Sequence, residues 1–414
     1  MFFNSCRFVS VSSAALMALS LSALLGCGGG GGGGGGAFVG VNPGPATGNV
    51  LAVRVDSGPG GNNVNRLYTS VTICAPGGGA CQTIDPVLVD TGSTGLRVLA
   101  SALSPALRLP AVPAANGQPL INCAKFIDNS YVWGPVVRAD VQLAGKGAAN
   151  LPVQVIADAA FAASAATCSP AGNLLDTPGS LGANAIIGLG IFKEDCGAAC
   201  ETVTNNGVYF TCSNAACSVA GNSRASLAAQ LKNPVILFAS DNNGIVVDLP
   251  GVGPEGAASL TGSLVFGIGT QSNNQFSGRT ILATTPAGNF ATQIEGRTLP
   301  NSFLDTGSNG LYFDSALIPA CGPSAPGFYC PALTLATQAV QIGVNGIAAT
   351  VSFFIANAVN QFRAPLRAVL PALAGPIGDT QTFDWGLPFF YGRRVFIGIE
   401  GQPSAIQTGP FYAY

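Results

Sequence analysis

The stretch PVLVDTGSTGLRVL, residues 86–99, places Asp90 directly after a run of apolar residues and follows it with Thr-Gly-Ser. The same arrangement returns in NSFLDTGSNGLYFD, residues 301–314, where Asp305 takes the place of Asp90. The two aspartates lie 215 positions apart, and each stands where a predicted buried strand gives way to a turn. This repeat predicts two homologous halves, each ending an apolar strand on a carboxylate.

The chain beyond residue 49 consists mainly of short β-branched or alternating stretches between clusters of Gly, Pro and Asn. Such stretches are typical of strands and predict an all-β architecture. Helical signals are limited to 226–231 and 365–375, and Pro371 interrupts the second. With the aspartate repeat, the pattern predicts two β lobes, an N-terminal one at 49–230 and a C-terminal one at 231–414.

Composition excludes several kinds of site. Only 9% of the residues are charged, the formal net charge is −2, and no basic run exists, which argues against a nucleic-acid partner. The chain contains no histidine, so Ser-His-Asp and Cys-His nucleophiles and His-ligated metal sites are excluded. Acid–base chemistry must then come from carboxylates, and we predict no metal or other cofactor.

The N-terminus, residues 1–27, has one positive residue and then an apolar core, the order of a secretory signal. Its end, Leu24-Leu25-Gly26-Cys27, resembles the lipobox of bacterial lipoproteins, which implies lipidation of Cys27. By the same resemblance Gly28 favours the outer membrane. Residues 28–48 begin with nine glycines and predict a flexible tether. The alternative is an ordinary cleaved signal in which Cys27 is incidental.

Ten of the twelve cysteines remain once Cys6 of the signal and Cys27 are set aside. An even number in an exported chain favours disulfides. Three close pairs are expected to close loops: Cys74/Cys81, Cys212/Cys217 and Cys321/Cys330. The four remaining cysteines leave the pairs Cys123/Cys168 and Cys196/Cys200. Zinc on the Cys196–Cys200 stretch is the weaker alternative, since no histidine can assist. The spacing alone does not determine the connectivity.

Each Asp-Thr-Gly-Ser segment has parts suited to presenting a carboxylate. Gly92 and Gly307 are expected to allow a sharp turn through a backbone conformation closed to other residues. Ser93 and Ser308 can donate hydrogen bonds to the carboxylates. The hydroxyls of Thr91 and Thr306 can reach back to main chain across the pair of loops.

Two such loops brought together place two carboxylates in contact. A pair of this kind cannot easily ionise twice, so it holds one proton over a wide pH range and titrates as a unit. The charged member can deprotonate a water while the protonated member hydrogen-bonds a substrate carbonyl. The alternative for each aspartate alone is an ordinary turn residue, as we interpret Asp176 and Asp384.

At this point the chain resembles the pepsin-like aspartic peptidases. VLVDTGSTGLRV and SFLDTGSNGLYF are similar to that family's two active-site loops, AIIGLG (185–190) to an apolar-apolar-Gly segment of its first lobe, and 383–401 to the end of its second lobe. The resemblance implies a bilobal double β-barrel with a central cleft, with Asp90 and Asp305 as the catalytic pair. It also implies a flap, for which Tyr131 and Trp133 are candidates; a packed strand tyrosine is the alternative.

Three functions remain open. The first is a lipid-anchored, monomeric aspartic endopeptidase that cuts extended protein segments and touches the membrane only through its anchor. The second is a silent fold of the same kind that binds a protein or glycan at the cell envelope. The third is a self-processing or structural envelope lipoprotein.

Overall fold

β-Strands are the main regular structure in the computed structural model, which describes residues 48–213, 216–363 and 367–414. Strands make up 41% and helices 11% of the structure, so the predicted all-β class is confirmed. The strands are β1 Val50–Val55, β2 Leu67–Cys74, β3 Cys81–Asp90, β4 Thr94–Leu99, β5 Leu120–Lys125, β6 Ser130–Leu143, β7 Lys146–Ile156, β8 Asn173–Leu174, β9 Ala185–Leu189, β10 Tyr209–Cys212, β11 Ala220–Asn222, β12 Gly244–Leu249, β13 Leu260–Phe266, β14 Ile281–Ala283, β15 Phe290–Ile294, β16 Arg297–Leu304, β17 Leu311–Phe313, β18 Leu335–Ile342, β19 Ala348–Ile355, β20 Ala374–Gly375, β21 Phe383–Trp385, β22 Arg393–Gly398 and β23 Phe411–Ala413.

Helices are short and lie outside the two segments predicted to contain them. The α-helices are α1 Pro178–Leu181, α2 Ala198–Thr202 and α3 Ala358–Arg363, and the 3₁₀ segments are Ala100–Ala102, Ala159–Thr167, Pro234–Leu237, Ser272–Asn274, Gly322–Ser324 and Leu387–Phe390. Residues 226–231 form only a turn, and 367–375 form no helix, so both predictions were wrong. The first segment has only six residues and is followed by Pro234, and the second is interrupted by Pro371. Each is therefore too short to sustain a helix.

The strands form two sheets. The large sheet has sixteen strands in the order β11-β10-β5-β6-β7-β4-β9-β3-β2-β1-β13-β12-β22-β23-β14, with β8 beside β6. The small sheet has seven, in the order β19-β18-β15-β16-β21-β17-β20. The large sheet crosses the predicted lobe boundary, because β1 pairs with β13 along its whole length, from Val50 opposite Val265 to Val55 opposite Leu260. The division into lobes at 230 and 231 stays a prediction.

One topological unit occurs once in each sheet. In the large sheet β9 lies between β3 and β4, parallel to β3 and antiparallel to β4. In the small sheet β21 lies between β16 and β17, parallel to β16 and antiparallel to β17. Each aspartate loop therefore leaves one strand, passes over a later strand and returns two strands away.

The core beneath the second aspartate loop is aromatic. Phe383 stacks on Trp385 with ring centroids 4.0 Å apart, and on Phe313 at 4.7 Å. The indole Nε1 of Trp385 donates a hydrogen bond to Thr292 Oγ1 at 3.0 Å, so its one polar group is satisfied inside the core. This packing gives the loop that carries Asp305 a rigid base.

Five disulfides link all ten cysteines that the sequence assigns to the exported chain, and all five predicted pairs are confirmed. Disulfides persist in oxidising compartments, so they indicate an extracellular or periplasmic protein. Among the described residues no helix has the length and apolar character needed to cross a membrane. The predicted signal, tether and lipidated Cys27 fall at 1–48 and lie outside the described residues, apart from Gly48.

The disulfide that closes the longest loop is expected to contribute most to the free energy of unfolding. Cys123 and Cys168 are 45 positions apart, whereas Cys196 and Cys200 are 4 apart. Because a cross-link restricts the unfolded chain more when its loop is longer, replacing the first pair by alanine should lower the free energy of unfolding by about 4 kcal/mol. The matched replacement of the second pair should cost about 2 kcal/mol. Urea unfolding of both double variants checks this, and equal losses would contradict it.

Candidate active site

Each aspartate lies at the C-terminal end of a strand that pairs in parallel with a later strand, β3 with β9 and β16 with β21. Asp90 is the last residue of β3 and stands opposite Gly188 of β9. Asp305 directly follows β16, and its backbone N–H donates to the carbonyl of Trp385 in β21 at 3.0 Å. Both side chains are completely buried, with 0% of their surface exposed. The loops after these strands are therefore held by the neighbouring inserted strand in each sheet.

The structure brings the two carboxylates into contact. The backbone N–H of Gly92 donates to Asp90 Oδ1 at 2.8 Å and to Asp305 Oδ1 at 3.1 Å. The N–H of Gly307 donates to Asp305 Oδ1 at 2.7 Å. One backbone N–H, that of Gly92, thus serves both carboxyl groups, which places them side by side.

Each carboxylate is oriented by the serine three residues further on. Ser93 Oγ donates to Asp90 Oδ2 at 2.6 Å, and Ser308 Oγ donates to Asp305 Oδ2 at 2.8 Å. With one oxygen of each group held by its serine, the other oxygen faces the opposite loop. The serines thus limit the rotation of both carboxyl groups.

The threonines bind the two loops to each other symmetrically. Thr91 Oγ1 donates to the carbonyl of Leu304 at 3.2 Å and accepts from the N–H of Thr306 at 3.0 Å. Thr306 Oγ1 donates to the carbonyl of Val89 at 2.7 Å and accepts from the N–H of Thr91 at 3.1 Å. These four hydrogen bonds satisfy both hydroxyls and fix the separation of the loops.

The glycines are required for a different reason from the one predicted. Neither Gly92 nor Gly307 has a left-handed backbone conformation, so the expectation of a special turn was wrong. A Cβ at Gly92 would instead lie 2.7 Å from Cγ of Asp305, and one at Gly307 would lie 2.7 Å from Oδ1 of Asp90. Each glycine makes room for the carboxylate of the other loop, a relation between residues that only the tertiary structure reveals.

Electrostatics distinguishes the two carboxyls. Burial raises the pKa of Asp90, while hydrogen bonds from Ser93, Asp305 and Gly92 lower it. Burial also raises the pKa of Asp305 well above its usual range, and the charges of Asp90 and Asp384 raise it further. Both carboxyls therefore favour the protonated form more than an exposed acid does, and the pair resists a second ionisation.

Comparison with known proteins identifies the family. Residues 45–414 match the family model of DUF3443, described as a protein of unknown function. The chain belongs to the DUF3443 family. Among curated proteins none matches this DUF3443 chain. The matched range contains both aspartate loops and all five disulfides.

A third carboxyl of this DUF3443 protein lies beside the pair. Asp384 in β21 is completely buried, stands opposite Phe303 and Tyr312 in the small sheet, and was interpreted from sequence as a turn residue, which was wrong. The sequence did contain a signal: two apolar residues precede Gly188 in the first half, whereas Asp384 takes the place of one of them before Gly386 in the second. The three carboxyls do not form a metal site, because no described group of three or more His, Cys, Asp or Glu side chains can hold an ion.

The flap candidates lie in a separate core cluster. Tyr131 and Trp133 are buried on β6 and pack around the Cys123–Cys168 disulfide. Trp133 Nε1 donates to the carbonyl of Phe161 at 3.0 Å, and its ring meets Phe210 edge-on at 5.2 Å. The side chains are thus committed to packing, and a flap role for either stays a prediction.

A small cavity of about 30 Å³ lies beside the first aspartate loop of the DUF3443 chain. Thr91, Gly92 and Ser93 line one side of it, and the remaining lining comes from both halves of the chain: Gly190, Ile191, Phe192, Ala287, Gly288, Asn289, Phe303 and Tyr412. The lining is mainly apolar, and the volume is of the order of a few water molecules.

Proposed function

We propose that this protein is an aspartic endopeptidase that hydrolyses peptide bonds with a water activated by Asp90 and Asp305. The observation that carries the proposal is the pair of buried carboxyls that share the backbone N–H of Gly92 and are held by Ser93 and Ser308. Paired carboxyls of this kind supply a base and an acid in the same place. The absence of histidine leaves few other hydrolytic mechanisms for the chain.

We assign the role of base to Asp90 and that of acid to Asp305, whose pKa is raised by burial and by the neighbouring carboxylates. Asp90, as carboxylate, takes a proton from the water while the water oxygen attacks the carbonyl carbon of the peptide. Asp305 donates its proton to the carbonyl oxygen, so a neutral tetrahedral diol forms. Collapse of the diol breaks the C–N bond as a proton passes to the amine, and one proton remains on the pair for the next cycle.

The resemblance to pepsin-like peptidases supports the same proposal. The two loops match that family, and the strand inserted beside each loop occurs twice, once per half. We therefore propose a bilobal double β-barrel with a central cleft for an extended peptide. We further propose that a lipid on Cys27 is the protein's sole attachment to the membrane.

The pH dependence of cleavage tests this proposal. Activity should fall at low pH, because protonation of Asp90 gives the pair two protons. It should also fall at high pH, because loss of the Asp305 proton leaves the pair with none. Because both pKa values are raised, both limbs should lie above the pH near 4 at which ordinary carboxyls titrate. Initial rates on casein and a peptide library between pH 2 and 8, with and without pepstatin, provide the measurement. Cleavage that persists undiminished at alkaline pH would contradict the proposal.

The complete burial of both carboxylates favours a second candidate, a silent binding module for a protein or glycan of the cell envelope. In that case no cleavage would occur at any pH, and a ligand would bind equally well to the wild type and to Asp90→Asn. Binding that depends on the carboxylate, accompanied by turnover, would favour the peptidase.

A further inference from the structure

Strand β19 lies at one edge of the small sheet. Its neighbour β18 pairs with it along its whole length, from Leu335 opposite Ile355 to Ile342 opposite Ala348, without a bulge. Among the described residues no other strand pairs with β19, and no other backbone group is hydrogen-bonded to residues 351–354. Exposed edges pair with further strands unless charges, prolines or bulges prevent it. The β19 sequence, AATVSFFI, contains no charged residue and no proline.

A cavity of about 240 Å³ lies along the free edge of β19. Residues 351–354 all line it, although Val351 and Phe353 are buried and Ser352 and Phe354 are exposed on the opposite face of the strand. Because neighbouring residues of a strand point to opposite faces, a cavity that contacts all four lies at an edge of the strand. β18 occupies one edge, so the cavity lies at the other. Its volume is many times that of a water molecule and has room for an apolar side chain.

The cavity combines aromatic walls with one cation. Trp385, Phe389 and Tyr391 line it, and so does Arg393 at the start of β22. The Arg393 guanidinium lies over the Phe389 ring, 4.6 Å from its centroid, and its Nη1 donates to the Phe389 carbonyl at 2.6 Å. Among the described residues its Nε and Nη2 have no acceptor, and no carboxylate forms an ion pair with it. The guanidinium is therefore available to a carboxylate from a ligand.

We propose that the edge of β19 and this cavity bind the C-terminal segment of an extended polypeptide that ends in an apolar residue. The segment adds a strand beside β19, and its last side chain fills the aromatic cavity. Its terminal carboxylate pairs with the guanidinium of Arg393. Neither Asp90 nor Asp305 lines this cavity, and binding requires no hydrolysis, so the inference is independent of the proposed function.

Two other sources of a strand fit the site less well. A second copy of the chain would offer its own β19, which has no acid to pair with Arg393. The last residue of the chain itself, Tyr414, is already bound elsewhere. Its backbone N–H donates to the carbonyl of Thr280 at 3.1 Å, and its hydroxyl donates to Gln341 Oε1 at 2.5 Å. The site therefore suits the free end of a different polypeptide.

The test measures peptide binding to the full exported chain by fluorescence anisotropy. The probe is a fluorescein-labelled hexapeptide, Thr-Val-Thr-Val-Thr-Phe, with a free terminal carboxylate; Asp90→Asn replaces the wild type if the probe is cleaved. The terminal amide of this peptide should bind about 10- to 100-fold more weakly, because it lacks the charge that Arg393 pairs with. A peptide ending in glycine should be weakened by a similar factor, because the cavity stays unfilled.

Two further peptides test the strand pairing. Each is N-methylated at alternate amides, so that one lacks the N–H groups of one strand edge and the other lacks those of the opposite edge. One of them should lose binding, and the other should bind as the unmodified peptide does. Equal affinities of the two would exclude a strand added to β19.

Arg393→Gln should bind the free acid about 10- to 100-fold more weakly and the amide as the wild type does. Arg393→Lys should recover part of the loss, because it keeps the charge without the planar fork. Arg394→Gln is the matched control, since Arg394 is the exposed neighbour on β22, lies outside the cavity and pairs with Asp248 at 3.0 Å. The control should bind both peptides as the wild type does.

Several outcomes would overturn the inference, and the wild type alone provides most of them. These are the absence of binding by any peptide, and equal affinities for the free acid and the amide. A dimer in analytical ultracentrifugation that Ser352→Lys dissociates would instead make a second copy the occupant of the edge. Peptide binding without any proteolysis would refute the peptidase proposal and leave this inference standing.

Discussion

Asp90→Asn and Asp305→Asn are each expected to reduce kcat/KM for peptide hydrolysis by about 10³-fold or more. An amide can neither take a proton from water nor give one to a carbonyl oxygen, so either variant loses one half of the acid–base pair. The shape of the side chain is retained, and the hydrogen bonds from Ser93 and Ser308 can still be accepted. Rates at the optimum pH of the wild type, with Asp176→Asn as the control, check this result.

The same variants should remain folded, which separates lost chemistry from lost structure. Both aspartates have raised pKa values in the folded state, so their contribution to stability is fully present below the unfolded pKa near 4 and is lost as pH rises through the folded values. Each asparagine variant should therefore lose less stability than the wild type between pH 4 and 7. Normal activity in either variant would exclude Asp90 and Asp305 as the catalytic pair.

Gly92→Ala and Gly307→Ala are expected to lower kcat/KM by about 100-fold. The added methyl group would lie within 2.7 Å of the opposite carboxyl group, which is buried and hydrogen-bonded and so has little room to move. The two carboxyls must separate, and the hydrogen bonds that the Gly92 N–H donates to both of them are lengthened or lost. Overpacking of this kind should also reduce the free energy of unfolding by about 1–3 kcal/mol.

Gly147→Ala is the matched control for both glycine variants. Gly147 lies in β7, has an ordinary backbone conformation, and an added Cβ would meet nothing within 4 Å. Activity and unfolding free energy should therefore match the wild type. If Gly92→Ala and Gly307→Ala also matched it, the close approach of the loops would not matter for function.

Local pattern predicted a large part of this protein. Alternating and β-branched stretches indicated strands, and the even cysteine count with its close spacings led to all five disulfide pairs. These features depend on neighbours in the chain or on simple pairing. The two helical segments were wrong because a short helix depends on packing that sequence does not show, and prolines opposed both.

The glycines and Asp384 could not be interpreted correctly from local pattern. Gly92 was expected to serve its own turn, whereas it makes room for Asp305, a residue 213 positions away. Asp384 replaces an apolar residue before Trp385 and Gly386, which marked the position as unusual, but that signal alone does not show that the side chain is buried. The packing of Tyr131 and Trp133 around a disulfide likewise depends on strands that are distant in sequence.

The sequence by itself determined that two equivalent aspartates end two apolar strands, that each has a serine to orient it, and that no histidine can share the chemistry. Those statements follow from residue types and short spacings. Only the tertiary structure decided that the two carboxyls lie side by side, that both are completely buried with raised pKa values, and that a third acid, Asp384, is buried in the same sheet as the second loop. The reason is physical: a pKa depends on burial and on charges a few ångströms away, and folding alone brings those charges together.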